Sequence, residues 1–265
     1  MKKRLFPLFA VAIPLFTLAQ TGITVSPPRT YFESRTGEAQ EKKILVTNPS
    51  KTSALNLTVS FSDWQYNQLG DNLITEPNTL DNSMVSWISI MPQSYFTLAP
   101  GETRELSVHV TPPPLTDRSE PVHTAMMYIT QTNPTDGVNE QGALIKVAVR
   151  TGVKIYHRDS SMPASPDIEF TDFKFQKENS RLLLALKNTG NIWTDGTIVT
   201  ELTNQSDGSK IKLEDQVIYT MPEDDRSVLI PLPKDFKKGK YIATSTFSYG
   251  DNDIIKMAEL TFNYE

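Results

Sequence analysis

Residues 143–159 read ALIKVAVRTGVKIYHRD, and their apolar side chains recur at every second position. A period of two is typical of a β-strand, whose successive side chains point to opposite faces of the sheet. Similar shorter stretches follow one another along the chain, separated by proline, glycine, asparagine and aspartate, which are common turn residues. No segment after residue 20 has a convincing helical period. The sequence therefore predicts an all-β protein.

Roughly seven such stretches are predicted as strands in each half of the chain. In the first half they are Ile23–Phe32, Lys42–Asn48, Leu55–Trp64, Ser86–Ile90, Arg104–Thr111, Thr124–Thr130 and Ala143–His157. In the second half they are Ile168–Phe175, Leu182–Lys187, Gly196–Leu202, Gln216–Tyr219, Arg226–Pro231, Tyr241–Tyr249 and Ile254–Phe262. Strands at this spacing predict two antiparallel, immunoglobulin-like β-sandwich domains.

The two halves are separated by a polar stretch between His157 and Ile168 that contains two prolines, RDSSMPASPD. We interpret it as a short linker, with a first domain at 21–158 and a second domain at 159–265. Within the second domain, Trp193 follows an apolar run and a turn, and we expect it to fill that domain's core.

Two prolines, Pro27 and Pro28, interrupt the first predicted strand. Proline has no N–H to donate to a sheet ladder, so it is confined to edge strands and to bends. We expect this strand either to lie at an edge or to switch between the two sheets of its sandwich.

The chain begins with the pattern of a secretory signal peptide, MKKRLFPLFAVAIPLFTLAQ at residues 1–20. Basic residues precede an apolar run, Leu5–Leu18, and a small residue, Ala19. The run is shorter than the ~20 residues that span a bilayer and contains Pro7 and Pro14, which disfavours a membrane helix. We expect the leader to be removed and the mature protein to be periplasmic, with no membrane span.

Composition argues against several kinds of site. The chain contains no cysteine, which excludes disulfides and thiolate metal sites, and its net charge of −5 lacks the basic footprint of a nucleic-acid binder. Its three histidines, His109, His123 and His157, are not spaced as metal ligands. No phosphate-binding loop or nucleophile motif is present. We therefore predict no metal site, no cofactor and no enzymatic activity.

Two segments carry a resemblance to a known family: VSPPRTYFE at 25–33 and the long stretch 143–159. The first resembles the opening strand of the periplasmic pilus-assembly (PapD-like) chaperones, in which an arginine is closely followed by an aromatic residue. The second resembles the last strand of their first domain, in which alternating apolar residues precede a lysine. The family's tail usually continues Arg-Pro, whereas here Arg158 is followed by Asp159.

The resemblance implies a function and a set of site residues. Chaperones of this family lend an extended strand to pilus subunits whose own sandwich is incomplete. By this resemblance the client's terminal carboxylate is held by Arg29 and Lys154, the donor side chains are Ile145, Val147 and Val149, and Arg158 is an interdomain residue. We expect Arg158 to pair with an acid of the second domain, for which Asp251 and Asp253 are candidates.

Alternation by itself gives the donor residues a different position. The opposite face of the stretch mixes Lys146 and Arg150 with apolar residues, so pattern alone sends Ile145, Val147 and Val149 into the core of their own domain. Only the resemblance turns them outward. Lys154 lies an odd number of residues from Val149, so we expect a β-bulge, with Gly152 as its candidate position.

The expected partners follow from the same resemblance. They are a pilus or surface-fibre subunit as the client, an outer-membrane usher, and a second copy of the chain, because an exposed apolar edge invites pairing. The alternative function is that of a structural or adhesive sandwich protein of a cell-surface assembly, with no client.

Overall fold

The computed structural model describes residues 22–114, 120–139, 141–250 and 254–265. The predicted leader, 1–20, lies outside the described residues, as do Asp251 and Asp253. Nearly all regular structure is β: no α-helix occurs in the described part, which has only two single turns of 3₁₀ helix, Val85–Trp87 and Lys177–Asn179. None of the described helices is long and apolar enough to cross a membrane.

Twelve strands build the first sandwich. They are β1 (Thr24–Ser26), β2 (Arg29–Ser34), β3 (Gln40–Thr47), β4 (Leu55–Tyr66), β5 (Asn72–Thr75), β6 (Ile88–Met91), β7 (Tyr95–Leu98), β8 (Thr103–Val110), β9 (Val122–Gln131), β10 (Thr135–Val138), β11 (Leu144–Val147) and β12 (Arg150–Asp159). One sheet has the order β1-β3-β8-β6, and the other has the order β2-β12-β9-β4-β5 with β7 also beside β4. Strands β10 and β11 pair with each other as a separate hairpin.

The core of this sandwich is filled by alternate side chains from both sheets. Phe32, Ile44, Leu106, Met127 and Ile155 are all fully buried within one apolar cluster. The burial of β8 alternates strictly over its last five residues, which shows how a period-two sequence places one face inward and one face in solvent.

The first predicted strand divides at Pro27 and Pro28. Strand β1 pairs with β3 at the edge of one sheet, and β2 pairs with β12 in the other sheet. The expected switch between sheets is therefore observed, and it places Arg29 at the first position of β2, directly after the prolines.

Eight further strands build the second sandwich. They are β13 (Ile168–Gln176), β14 (Arg181–Asn188), β15 (Thr194–Asn204), β16 (Lys210–Lys212), β17 (Gln216–Thr220), β18 (Asp225–Pro231), β19 (Gly239–Tyr249) and β20 (Ile254–Tyr264). The sheets are β13-β14-β18 and β16-β15-β19-β20, with β17 also beside β15. Leu184, Ile198 and Phe247 are among the fully buried residues of its own core.

A third apolar cluster joins the two sandwiches. Trp64 and Tyr156 of the first sandwich are buried in it together with Met221 of the second. Trp193 also packs here, with its ring 5.0 Å from that of Tyr31. The expectation that Trp193 fills the second core is therefore wrong: it lies just before β15, where the chain faces the first sandwich, and covers the interface between the domains.

Candidate functional site

The parallel pairing of β2 with β12 creates the candidate site. Its register brings three pairs of residues together on the face that points away from the first core: Arg29 with Lys154, Tyr31 with Tyr156, and Glu33 with Arg158. Two cations, two stacked aromatic rings and an ion pair thus follow one another along the two strands. Residues that are separated by 125 positions in sequence become direct neighbours because β2 and β12 run side by side.

The Arg29 guanidinium has no hydrogen bond or ion pair with any residue in the described ranges. Its carbon Cζ lies 3.9 Å from the centroid of the Tyr219 ring, which belongs to β17 of the second sandwich. Its Nε atom is buried without a hydrogen-bond partner. A buried donor of this kind is costly unless a partner completes it, so the group is suited to receive an anion.

Lys154 is also held by aromatic groups. Its Nζ atom donates a hydrogen bond of 2.9 Å to the Tyr66 hydroxyl and lies 4.1 Å from the centroid of a Trp64 ring. Burial, together with the nearby charges of Arg29 and Arg226, lowers the pKa of Lys154 to about 8. Among the residues that the structure describes, no carboxylate pairs with this ammonium.

A third cation, Arg226, reaches the same region from the second sandwich. It is only 7% exposed, donates from Nη1 to the Asn67 backbone oxygen at 3.1 Å, and lies 5.0 Å from the Tyr66 ring centroid. Burial raises the pKa of the neighbouring Asp224 to about 6. The carboxyl groups that act on these cations, Asp224 and Asp71, are both beside Arg226, so Arg29 and Lys154 give the cleft a positive charge that favours an anionic ligand.

The segment predicted to donate a strand leaves the sandwich as the β10–β11 hairpin. Leu144 is 86% exposed and Ile145 is 39% exposed, while Val147 is half-buried. The side chains of Ile145 and Val147 lie over Gly137 of β10, and Lys146 pairs with Asp136 on the other face. An exposed apolar hairpin of this kind presents strand edges that can pair with another chain.

Val149 differs from the other two predicted donor residues. It packs against the first core, as do Val153 and Ile155, which face inward from β12, whereas Ile145 and Val147 lie in the separate hairpin. The expected outward position is therefore wrong for Val149. The expected bulge at Gly152 is also wrong: β12 pairs with β9 without a shift from Arg150 to Arg158, and the interruption falls between Val147 and Arg150.

Arg158 does not pair with a second-domain acid among the described residues. Its Nη2 atom donates to Glu33 at 2.6 Å, and its Nη1 atom donates to the backbone oxygen of Met162 in the linker at 3.1 Å. Glu33 is its partner because the register of β2 and β12 places the two residues opposite each other. Arg158 thus ties the linker to the first sandwich.

The structure brings the predicted residues Arg29 and Lys154 together. Sequence analysis did not single out Tyr219 or Arg226. Both lie in predicted strands of the second half, where no motif distinguished them from ordinary strand residues. Among the residues that the structure describes, no cluster of three or more acidic or histidine side chains has the arrangement of a metal site.

Comparisons with known proteins give fold-level similarity. The chain matches no protein-family model and no curated protein sequence. It resembles the YadV chaperone with a TM-score of 0.51 and 12% identity, over 91% of this chain and 100% of that one. A CsuC–CsuE chaperone–tip adhesion subunit complex of Acinetobacter baumannii matches with a TM-score of 0.48 and 12% identity, over 90% of this chain and 98% of that one. A Salmonella enterica SafA pilin–SafB chaperone complex matches with a TM-score of 0.48 and 12% identity, over 92% of this chain and 96% of that one. The chain therefore has the two-domain immunoglobulin-like β-sandwich fold that is also found in the YadV chaperone.

Proposed function

We propose that this protein is a non-enzymatic periplasmic chaperone that binds incomplete pilus or surface-fibre subunits by donor-strand complementation. The observation that carries the proposal is the pairing of Arg29 of β2 with Lys154 of β12, two cations without a carboxylate partner among the described residues. Strand β12 also continues from the exposed apolar hairpin. The fold, shared with the YadV chaperone, is consistent with this role. Residues 1–20 would direct export to the periplasm and would be cleaved from the mature protein.

The cation pair would anchor the C-terminal carboxylate of the client. Arginine offers a planar fork of N–H donors and lysine offers a point charge, and hydrogen bonds from both to a carboxylate are charge-assisted. Since both groups are partly withdrawn from water, the attraction is less screened than at an open surface. The carboxylate would fix the register in which the client's unfinished sheet meets the chaperone.

The hairpin would supply the missing strand. An incomplete sandwich exposes unpaired backbone groups and core side chains, and an added strand satisfies both. Ile145 and Val147 are spaced two apart, so both would enter the client's groove from one face. Burial of each such side chain stabilises a complex by about 1.5–3 kcal/mol. Val149 would contribute only if the segment after β11 moved away from the first core.

The test is recovery of the client with the protein from periplasm. Arg29→Ala and Lys154→Ala should each reduce the recovered client strongly, because loss of one cation leaves the buried carboxylate poorly compensated at a cost of about 2–5 kcal/mol. Lys43→Ala is the matched control, since Lys43 is an exposed cation of the first sandwich that pairs with Glu105 at 2.7 Å. Equal recovery with all three variants would instead support a structural or adhesive protein without a client.

A client bound in this way would be passed to a further assembly component, and we propose an outer-membrane usher as that second partner. The exposed edge of β11 would also pair two copies of the chain when no client is present. Binding of a client, and so its transfer to an usher, and pairing of two copies would use the same hairpin, so a change at Ile145 would weaken both.

A further inference from the structure

Tyr219 has an unusual position for an aromatic residue of a sandwich strand. Its neighbours in β17, Ile218 and Thr220, are buried, whereas Tyr219 is half-buried and points to the other side. It belongs to neither core and is not part of the apolar cluster between the domains. Its ring lies against the guanidinium of Arg29, 3.9 Å from Cζ.

This contact restricts Arg29 without occupying its hydrogen-bonding edge. An arginine side chain has many rotamers, and an unsupported guanidinium would lose that freedom when it bound an anion. A ring whose centroid lies 3.9 Å from Cζ covers the planar guanidinium and limits the rotation of its plane. The N–H groups lie in that plane, and none of them is bonded to another residue in the part of the chain that the structure describes.

An ion pair would also hold Arg29 in place, but it would leave the guanidinium less able to bind a ligand than the Tyr219 ring does. A carboxylate beside the guanidinium would occupy the same N–H groups that a ligand needs and would cancel the charge. The ring leaves both the charge and the donors free. It also comes from the second sandwich, whereas Arg29 and Lys154 come from the first, so the complete anchor includes both domains.

We propose that Tyr219 is a positioning residue of the carboxylate anchor, through which the second sandwich takes part in recognition of a client's C-terminus. This inference rests on the proposed function. It adds that the affinity for a terminal carboxylate depends on the ring of Tyr219 rather than on its hydroxyl group.

The test measures the affinity of the mature protein for two synthetic peptides of alternating valine and threonine. One peptide ends in a free carboxylate and the other in an amide, and the ratio of their affinities reports the anchor alone. In Tyr219→Ala we expect this ratio to fall about three- to tenfold, the size of a partly desolvated cation–π contact, with the amide peptide unaffected. Tyr219→Phe keeps the ring and should keep the ratio.

Val217→Ala is the matched control, because Val217 is an exposed residue of the same strand. It should leave both affinities unchanged. The inference is overturned if Tyr219→Ala keeps the full ratio, if it weakens both peptides equally, or if Tyr219→Phe loses as much as Tyr219→Ala. A wild-type protein that does not distinguish the two peptides would overturn the carboxylate anchor itself, and with it the proposed function.

Discussion

Each cation of the cleft lies against an aromatic ring that belongs to a strand other than its own. Arg29 stacks on Tyr219, and Lys154 lies between Trp64 and Tyr66. Aromatic faces attract cations without neutralising them, so the charges remain available to a ligand. At this scale the site is a set of positive charges held in place by groups that do not compete for the anion.

A second group of titratable residues lies on the other side of β12. His123 and His157 are buried, with ring centroids 6.5 Å apart, and the Trp87 ring lies 4.5 Å from that of His123. Burial, together with the adjacent His157, lowers the pKa of His123 to about 4. Burial also lowers the pKa of His157, whose Nε2 atom lies 3.1 Å from the Ser34 hydroxyl oxygen.

We predict that these histidines make the protein less stable as the pH falls from about 6.5 towards 4. In this window the unfolded chain binds a proton that folded His123 excludes, so the free energy of unfolding falls by up to about 1.4 kcal/mol per pH unit from His123, and His157 acts in the same direction. His123→Phe should reduce the slope, measured by urea unfolding at pH 7.5, 6.5 and 5.5. His109→Gln, at a partly exposed histidine of the same sandwich, is the control.

Asp224 acts in the opposite direction over part of this range. Its pKa is raised to about 6, so the folded state binds the extra proton and Asp224 stabilises the fold as the pH falls. The decisive quantity is therefore the difference in slope between His123→Phe and the wild type, since Asp224 is present in both. Identical slopes would contradict the prediction.

Single residues were predictable where they lay in a distinctive stretch. Arg29 and Lys154 stand in the two segments that carry the family resemblance. Tyr219 and Arg226 become part of the cleft only through the docking of two sandwiches, and their local sequence resembles that of any strand. No period or motif encodes a contact between residues 29 and 219, because it depends on packing between domains.

Strands with a long alternating pattern were predictable, and several short ones were not. Strands β5, β7, β10 and β16 have only three or four residues each, too few for a period of two to stand out. The stretch Ala143–His157 was predicted as one strand but forms β11 and β12. Alternation continues across the break, so nothing in the pattern marked the point where the hairpin leaves the sheet.

The separation of the hairpin from the core leads to a prediction at the level of these elements. The double variant Ile145→Thr, Val147→Thr should lose most of its client, because the donor side chains would bury a hydroxyl group in the client's groove. Its melting temperature should change little, since β11 pairs only with β10 among the described strands. Client recovery and thermal unfolding of the free protein are the two measurements.

The matched variant is Val153→Thr in β12, a change of the same chemistry at a fully buried position. It should lower the melting temperature clearly, because a hydroxyl group would enter the first core without a partner. If the hairpin variant unfolds as early as Val153→Thr, the hairpin is part of the core rather than a free donor.

The whole molecule depends on how the two sandwiches are held together. Beside the aromatic cluster, a loop of the first sandwich docks on β18 of the second: the Ser227 N–H donates to the Gln68 oxygen at 2.7 Å, and Arg226 donates to Asn67. Because Arg226 also lies near Lys154, this docking contributes to the electrostatics of the cleft. The angle between the domains and the strength of the anchor are therefore linked physically.

Gly70 provides a test of this docking. It has a φ of +95°, and a Cβ atom built there would lie 2.0 Å from Nη2 of Arg226. Gly37 has a φ of +79° with nothing within 4 Å of such an atom, so it carries the backbone strain without the contact. Gly37→Ala should cost about 1–2 kcal/mol from strain alone, and Gly70→Ala should cost about 1–3 kcal/mol more, because it displaces a buried guanidinium. Urea unfolding of the two variants gives this difference directly.

The same pair in an Arg226→Ala background completes a double-mutant cycle. Without the guanidinium, the methyl group of Gly70→Ala meets no obstacle, so its cost should fall to that of Gly37→Ala. If the gap between the two glycine variants survives in this background, the extra cost arises within the loop of residues 67–71 and the contact with Arg226 does not hold the domains together. If the difference in cost between the two glycine variants disappears, the missing side chain of Gly70 is what makes room for Arg226 of the second sandwich in the cleft.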